Sequence, residues 1–118
     1  MSFRLSADAP AVEQYLALGF TAVETGSPDC VGLRAGGTYL ILVSADYMAG
    51  DFQPATVARL VGRTVPYIYV SSVAAAKERL SAAAFIVEQV VTRGGTMEAV
   101  VEQGHQYLLL AEKGADAP

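Results

Sequence analysis

The chain is poor in the residues that do metal and redox chemistry: it has one cysteine, one histidine and no tryptophan among 118 residues. A lone Cys30 excludes an internal disulfide and fits a reducing compartment, so a cytoplasmic location is expected. One His with one Cys cannot build a Cys/His zinc cluster within a single chain. Basic charge is also scarce, with eight Lys/Arg against twelve Asp/Glu, a net charge of −4 and a pI near 4.8. Nucleic-acid binding requires clustered cations that release counterions from phosphates. The densest basic pair, Arg59 and Arg63, is one helical turn apart and reads as a solvated face. Long apolar runs are missing too. The longest uncharged stretch, Thr64 to Ala76, is 13 residues with a proline and two serines, against about 20 for a membrane span. The opening residues MSFRLSAD lack a cationic segment followed by an apolar one, so no secretory leader is expected. What the chain has in plenty is apolar side chains, 53% of residues against 17% charged, with a mean hydropathy of +0.35. That balance excludes disorder. A chain of this length buries roughly two-thirds of its unfolded surface, which predicts one domain over residues 1–118.

Self-comparison is more informative than composition. GGTYLILV (Gly36 to Val43) returns as GHQYLLLA (Gly104 to Ala111), 68 residues later. Upstream, FRLSADAPAVEQYLALGFTAVE (Phe3 to Glu24) aligns with IYVSSVAAAKERLSAAAFIVEQ (Ile68 to Gln89), pairing Leu5 with Val70 and Phe20 with Phe85. Two copies of this length do not make a solenoid, which stacks three or more shorter units. Each copy reads alike. Phe3 to Ser6 and Tyr67 to Val70 are strands by composition. Asp8, and Ser71 or Ser72, are candidate helix N-caps. Val12, Tyr15 and Leu16, and then Val73, Ala76 and Leu80, recur at helical spacing. Gly19 ends the first helix. Phe20 to Val23 and Phe85 to Val87 are second strands, and hairpins follow with turns at AGG and QGH. The fold class is therefore α+β: two βαβββ modules, about 2–45 and 64–112, joined by a linker over 46–63 with a short helix over Pro54 to Val61.

A duplicated βαβββ unit with Tyr15-Leu16-Ala17-Leu18-Gly19-Phe20 after the first helix and Arg93-Gly94-Gly95-Thr96-Met97 before the last hairpin resembles the vicinal oxygen chelate superfamily. That group includes glyoxalases, extradiol dioxygenases, fosfomycin-modifying enzymes and bleomycin-resistance proteins, and the two motifs look most like the bleomycin-resistance branch. The match runs from Phe3 to Glu112; the usual D-P-D-G turn is replaced by Glu102-Gln103-Gly104-His105. The resemblance implies a curved mixed sheet with helices on its outer face. It also implies a homodimer whose clefts lie between module one of one subunit and module two of the other. In the enzymes of the group a divalent metal sits in the cleft, held by His or Glu on the first and last strands of each module. Carried onto this chain, those positions are Leu40, Val65 and Leu108, with the fourth at or just before Met1. None carries a donor, so no metal and no cofactor are expected.

Strand alternation then sorts the remaining side chains. With Ile68 and Val70 under the helix, Val65, Tyr67 and Tyr69 face the cleft. The same parity sends Leu40, Leu42, Leu108, Leu110, Arg4 and Ser6 to the cleft and Phe3 and Leu5 to the core. Tyr47 and Phe52 in the linker and Met97 after the glycine pair are candidate rim residues. Apolar walls with a few directed polar groups describe a small-molecule pocket. The tyrosines serve equally as half-buried strand residues, and the leucines as sheet or dimer filling. His105 reads as a turn residue, Cys30 as a small hydrophobe beside Asp29, and Glu98 and Glu102 cannot be assigned acid and base roles without distances. Gly94-Gly95 precedes no helix, so it is not a phosphate loop. Three functions remain open: a metal-free protein binding an aromatic or cationic antibiotic, a lyase, isomerase or dioxygenase of the same superfamily, and a structural dimer without a ligand. The first is the leading expectation, with no nucleic-acid or membrane partner.

Overall fold

The computed structural model describes residues 1–113. The first module comprises β1 (Ser2–Ser6), α1 (Glu13–Ala17), β2 (Thr21–Val23), β3 (Cys30–Ala35) and β4 (Thr38–Ser44). A linker with α2 (Ala45–Ala49) and α3 (Pro54–Leu60) leads to the second module: β5 (Thr64–Val70), α4 (Val73–Arg79), β6 (Phe85–Val91), β7 (Met97–Gln103) and β8 (Gln106–Glu112). All eight strands form one sheet in the order β2-β3-β4-β1-β5-β8-β7-β6. The order is the same in each half: the first strand of a module lies parallel to its last, and the remaining pairs are antiparallel. The halves meet where β1 runs antiparallel to β5 over three residue pairs, Ser2–Pro66, Phe3–Val65 and Arg4–Thr64. Pro66 lies where the β1 ladder ends and the β8 ladder begins at Tyr67–Leu109. A residue without an N–H is tolerated at such a change of partner.

The expected modules are present, with two local differences. Asp8 caps nothing: α1 starts later, behind Val12, which makes no side-chain cap. Gly19 does follow its last turn, with φ +99°, a conformation a Cβ would strain. In module two Ser72 is the cap, accepting the Ala75 N–H at 3.1 Å. The linker contains a helix the sequence did not announce, α2, capped by the Ser44 hydroxyl on the Tyr47 N–H at 3.2 Å.

Two layers of packing follow from strand alternation. On the outer face, α4 sets Val73 and Ala76 onto Ala99, Val101 and Leu110, with Leu108 packed alongside. On the inner face, the linker lays Met48, Phe52, Val57 and Leu60 over Phe3, Leu5, Val65, Val100, Leu109 and Ala111. Two carboxylates, Glu88 of module two and Asp51 of the linker, hold the linker there. Glu88 on β6 accepts the Gln53 N–H at 3.0 Å and the Thr56 hydroxyl, closing the N-terminus of α3. Asp51 of the linker accepts both the backbone N–H of Arg93 at 2.9 Å and its Nε at 3.1 Å. No helix among the described residues is long and apolar enough to cross a membrane.

Candidate functional site

The linker does not fill the inner face completely. Between it and the sheet lies a cavity of about 390 Å³, walled by both modules of the one chain. Module one contributes Phe3, Cys30, Ile41 and Val43. Module two contributes Tyr67, Tyr69, Glu98 and Leu109, the linker Tyr47, Met48, Asp51 and Phe52, and the β6–β7 turn Thr92, Arg93 and Gly94. Both modules of this one chain and the linker between them therefore supply walls to the same concavity.

An aromatic row crosses the seam between the modules. The Phe3 and Tyr67 rings stand edge to face with centroids 6.3 Å apart, and Tyr67 meets Tyr69 in the same way at 5.3 Å. The geometry follows from sequence: Tyr67 and Tyr69 are two apart on β5 and share a face, and Phe3 sits across the short ladder. Tyr47 and Tyr69 remain 40% and 39% exposed, so they are accessible from the cavity mouth, whereas Phe3 and Phe52 are buried.

The polar groups fall into two sets. On the floor, the Tyr67 hydroxyl donates to Glu98 Oε2 at 2.5 Å. Burial, then the hydrogen bond and charge of Glu98, push the Tyr67 phenol well above its ordinary range, so it stays protonated and a donor. Burial also pushes the Glu98 carboxyl up, helped by Asp51 and opposed by the bond from Tyr67. Among the described residues Glu98 has no ion-pair partner. At the mouth, Arg93 ties the turn to the linker. Besides its bonds to Asp51, it donates Nη2 to the Tyr47 carbonyl at 2.8 Å and lies 4.9 Å from the centre of the Tyr47 ring. Cys30 is a free thiol, pushed up by burial and then by Asp29, against the opposing influence of Arg93, so it is not an activated nucleophile.

Of the residues singled out from the sequence, Tyr47, Phe52, Tyr67 and Tyr69 line this cavity. Val65 is on the inner face but sealed in the core. Met97, expected at the rim, does not line the cavity: on β7 it alternates with Ala99 and Val101, which face α4, and its sulfur lies 3.1 Å from Gln89 Nε2, while its neighbour Glu98 faces inward. The remaining expectations are corrected. Leu108 and Leu110 pack under α4, on the opposite face. Leu40 and Leu42 share the outer face with Ser2 and Arg4, to which they are paired. Arg4 itself lines a separate, smaller hollow with Ser6, Gln14 and Tyr15, and its guanidinium reaches Thr64 at 3.4 Å. Phe3 and Leu5, expected in the core, are buried in it, on the inner face beneath the linker.

The error is one residue of register. Ile41 and Leu109 are equivalent in the hairpin repeat, and their partners are Phe3 and Tyr67. The first strands therefore correspond at a spacing of 64, not the 65 of the sequence alignment. Every side chain assigned by that alignment on β1 is inverted, and counting the ligand positions from the turn glycine inverts β4 and β8.

The divalent metal that the resemblance implies does not fit these residues. Inward positions of the first and last strands carry Phe3, Ile41, Val65 and Leu109, which offer no donor, and Tyr67, whose phenol stays protonated and is bonded to Glu98. Among the described residues no group of three or more His, Cys, Asp or Glu comes together. The two carboxylates at the cavity are engaged by Arg93 and Tyr67.

No family model matches the chain, and no curated protein matches it. Among solved structures it is similar to a hypothetical protein from S. aureus, at 16% identity and a TM-score of 0.37 over 93% of this chain and 89% of that one. It is similar to a lactoylglutathione lyase from Agrobacterium tumefaciens, at 13% identity and a TM-score of 0.36 over 94% and 90%. A virulence protein from Salmonella typhimurium overlaps at 18% identity and a TM-score of 0.33, over 93% and 91%.

Proposed function

We propose that this chain is a metal-free small-molecule-binding protein of the glyoxalase/bleomycin-resistance type, which sequesters an aromatic or cationic antibiotic in the cavity between its modules. The observation that supports this reading is the aromatic row Phe3–Tyr67–Tyr69 along a cavity of about 390 Å³, within the size range of small-molecule sites. Rings held edge to face present flat and edge surfaces to a planar guest, and their faces attract cations. Capture needs affinity and stoichiometry alone, which suits a pocket whose donors are few and already paired. A cytoplasmic location and a homodimer belong to the same proposal; the exposed Leu18 and Phe85 side chains offer apolar surface to a second copy.

The test is a thermal-shift screen of glycopeptide, quinone and polyketide antibiotics, run beside zinc, nickel and ferrous iron. A ligand that binds only the native state raises Tm by mass action. A saturable rise with an aromatic compound recovered unchanged is the expected result, and Tyr69→Ala, whose ring is two-fifths exposed, should abolish the rise while keeping the fold. Tight uptake of one metal together with turnover of a substrate, or no shift with any compound, overturns the proposal.

A further inference from the structure

Glu98 is the one feature of the cavity that neither a hydrophobic guest nor the fold requires. It stands on β7 with its side chain turned inward, half-buried, at a position where an apolar residue would continue the wall made by Val100. One carboxylate oxygen, Oε2, takes the Tyr67 hydroxyl; the other accepts no hydrogen bond among the described residues. The cations at the cavity are paired with groups other than Glu98. Arg93 is held by Asp51 and the Tyr47 carbonyl, and the Lys113 ammonium lies over the Tyr69 ring at 4.8 Å. The rings of Tyr67, Tyr69 and Tyr47 line the same cavity as this carboxylate. A half-buried carboxylate with an open oxygen, in a cavity lined by aromatic rings, offers the recognition chemistry of an ammonium or amidinium group attached to a flat ring.

We infer that Glu98 is the specificity residue of this site, and that the guest is a planar aromatic carrying a protonated nitrogen, with the charge seated on the free oxygen of Glu98 and the ring against Tyr67 and Tyr69. This rests on the reading of the cavity as a ligand site. Tyr67 acts as a positioning residue: its hydroxyl fixes the carboxylate and leaves one oxygen facing the guest. Glutamate at this point selects charge, while the aromatic row selects shape.

Three tricyclic probes of nearly equal size separate the two statements: 9-aminoacridine, a cation at neutral pH, phenazine, which is neutral, and acridine-9-carboxylate, an anion. Binding is read by probe fluorescence or by shifts of the tyrosine ring protons. The expected order is cation over neutral over anion, and Glu98→Gln, which still accepts from Tyr67, should weaken 9-aminoacridine about tenfold or more. The same change should move phenazine by less than about twofold. Equal affinities for the cation and phenazine in the native chain, or an equal loss for both in Glu98→Gln, overturn the role of Glu98 while leaving an aromatic site. Failure of all three probes to bind overturns the ligand site itself, and the role of Glu98 with it.

Discussion

The two modules share a strand order but not a manner of holding their helices. In module two, α4 is fixed at both its start and its face. Ser72 caps it, the carboxylate of Glu112 at the end of β8 accepts the Val73 N–H at 2.8 Å, and Val73 and Ala76 are buried. In module one, α1 has no side-chain cap and no buried residue, and Leu16 is 46% exposed. The difference traces to one pair of equivalent positions. Ser44 ends β4 where Glu112 ends β8, but its short hydroxyl caps α2 and bonds Asp29 at 3.3 Å. A duplicated unit has thus been divided between two tasks. One copy anchors its own helix, and the other uses the same corner to launch the linker that roofs the cavity.

Three changes break or sharpen this contrast. The largest effect is expected at Leu110, whose truncation to Ala opens a gap beneath α4 and should cost about 2–5 kcal/mol. Leu16→Ala on the exposed side of α1 should stay within about 0.5 kcal/mol, and urea denaturation measures both. Comparable losses would mean that α1 is seated as firmly as α4. Next, Glu112→Ala removes the carboxylate from the start of α4 and should cost about 1–2 kcal/mol. Native-state hydrogen exchange should show the protection of α4 falling toward that of α1 while β7 and β8 keep theirs.

The smallest effect is the pH dependence contributed by Glu98. Its carboxyl binds a proton more readily in the folded chain than in the unfolded one, because burial disfavours the anion. The stabilisation is therefore fully present below the ordinary glutamate range and is lost as pH rises through the elevated folded value. Urea midpoints across the weakly acidic range should fall less steeply with rising pH in Glu98→Gln than in the native chain. Identical slopes would place Glu98 in water.

Much of this architecture was legible in the sequence, because the hairpin repeat, the helical spacing of Val73 and Ala76 and the glycine after α1 each have a local physical cause. The linker helix α2 was not legible, since its cap is Ser44, the last residue of a strand. The face of each strand was only half legible. On β5 the alternation of Val65, Tyr67 and Tyr69 gave the right side, whereas on β1, β4 and β8 a one-residue error moved Arg4 and four leucines to the wrong one. Such errors are invisible to composition, because Leu40 and Ile41, or Leu108 and Leu109, are equally apolar. Glu98 was noticed but not placed. Its pairing with Ala111 across the last hairpin carries the missing signal, because Ala111 alternates with Leu109, which faces inward.

The short ladder between β1 and β5 has a consequence for the molecule as a whole. Divided at the linker, each half would end in a bare strand edge, β1 bearing Phe3 and Leu5 or β5 bearing Val65 and Tyr67. Unpaired edges of that kind are templates for indiscriminate self-association. Doubling the unit within one polypeptide turns two such liabilities into each other's remedy, leaving only the outermost strands, β2 and β6, to meet the surroundings.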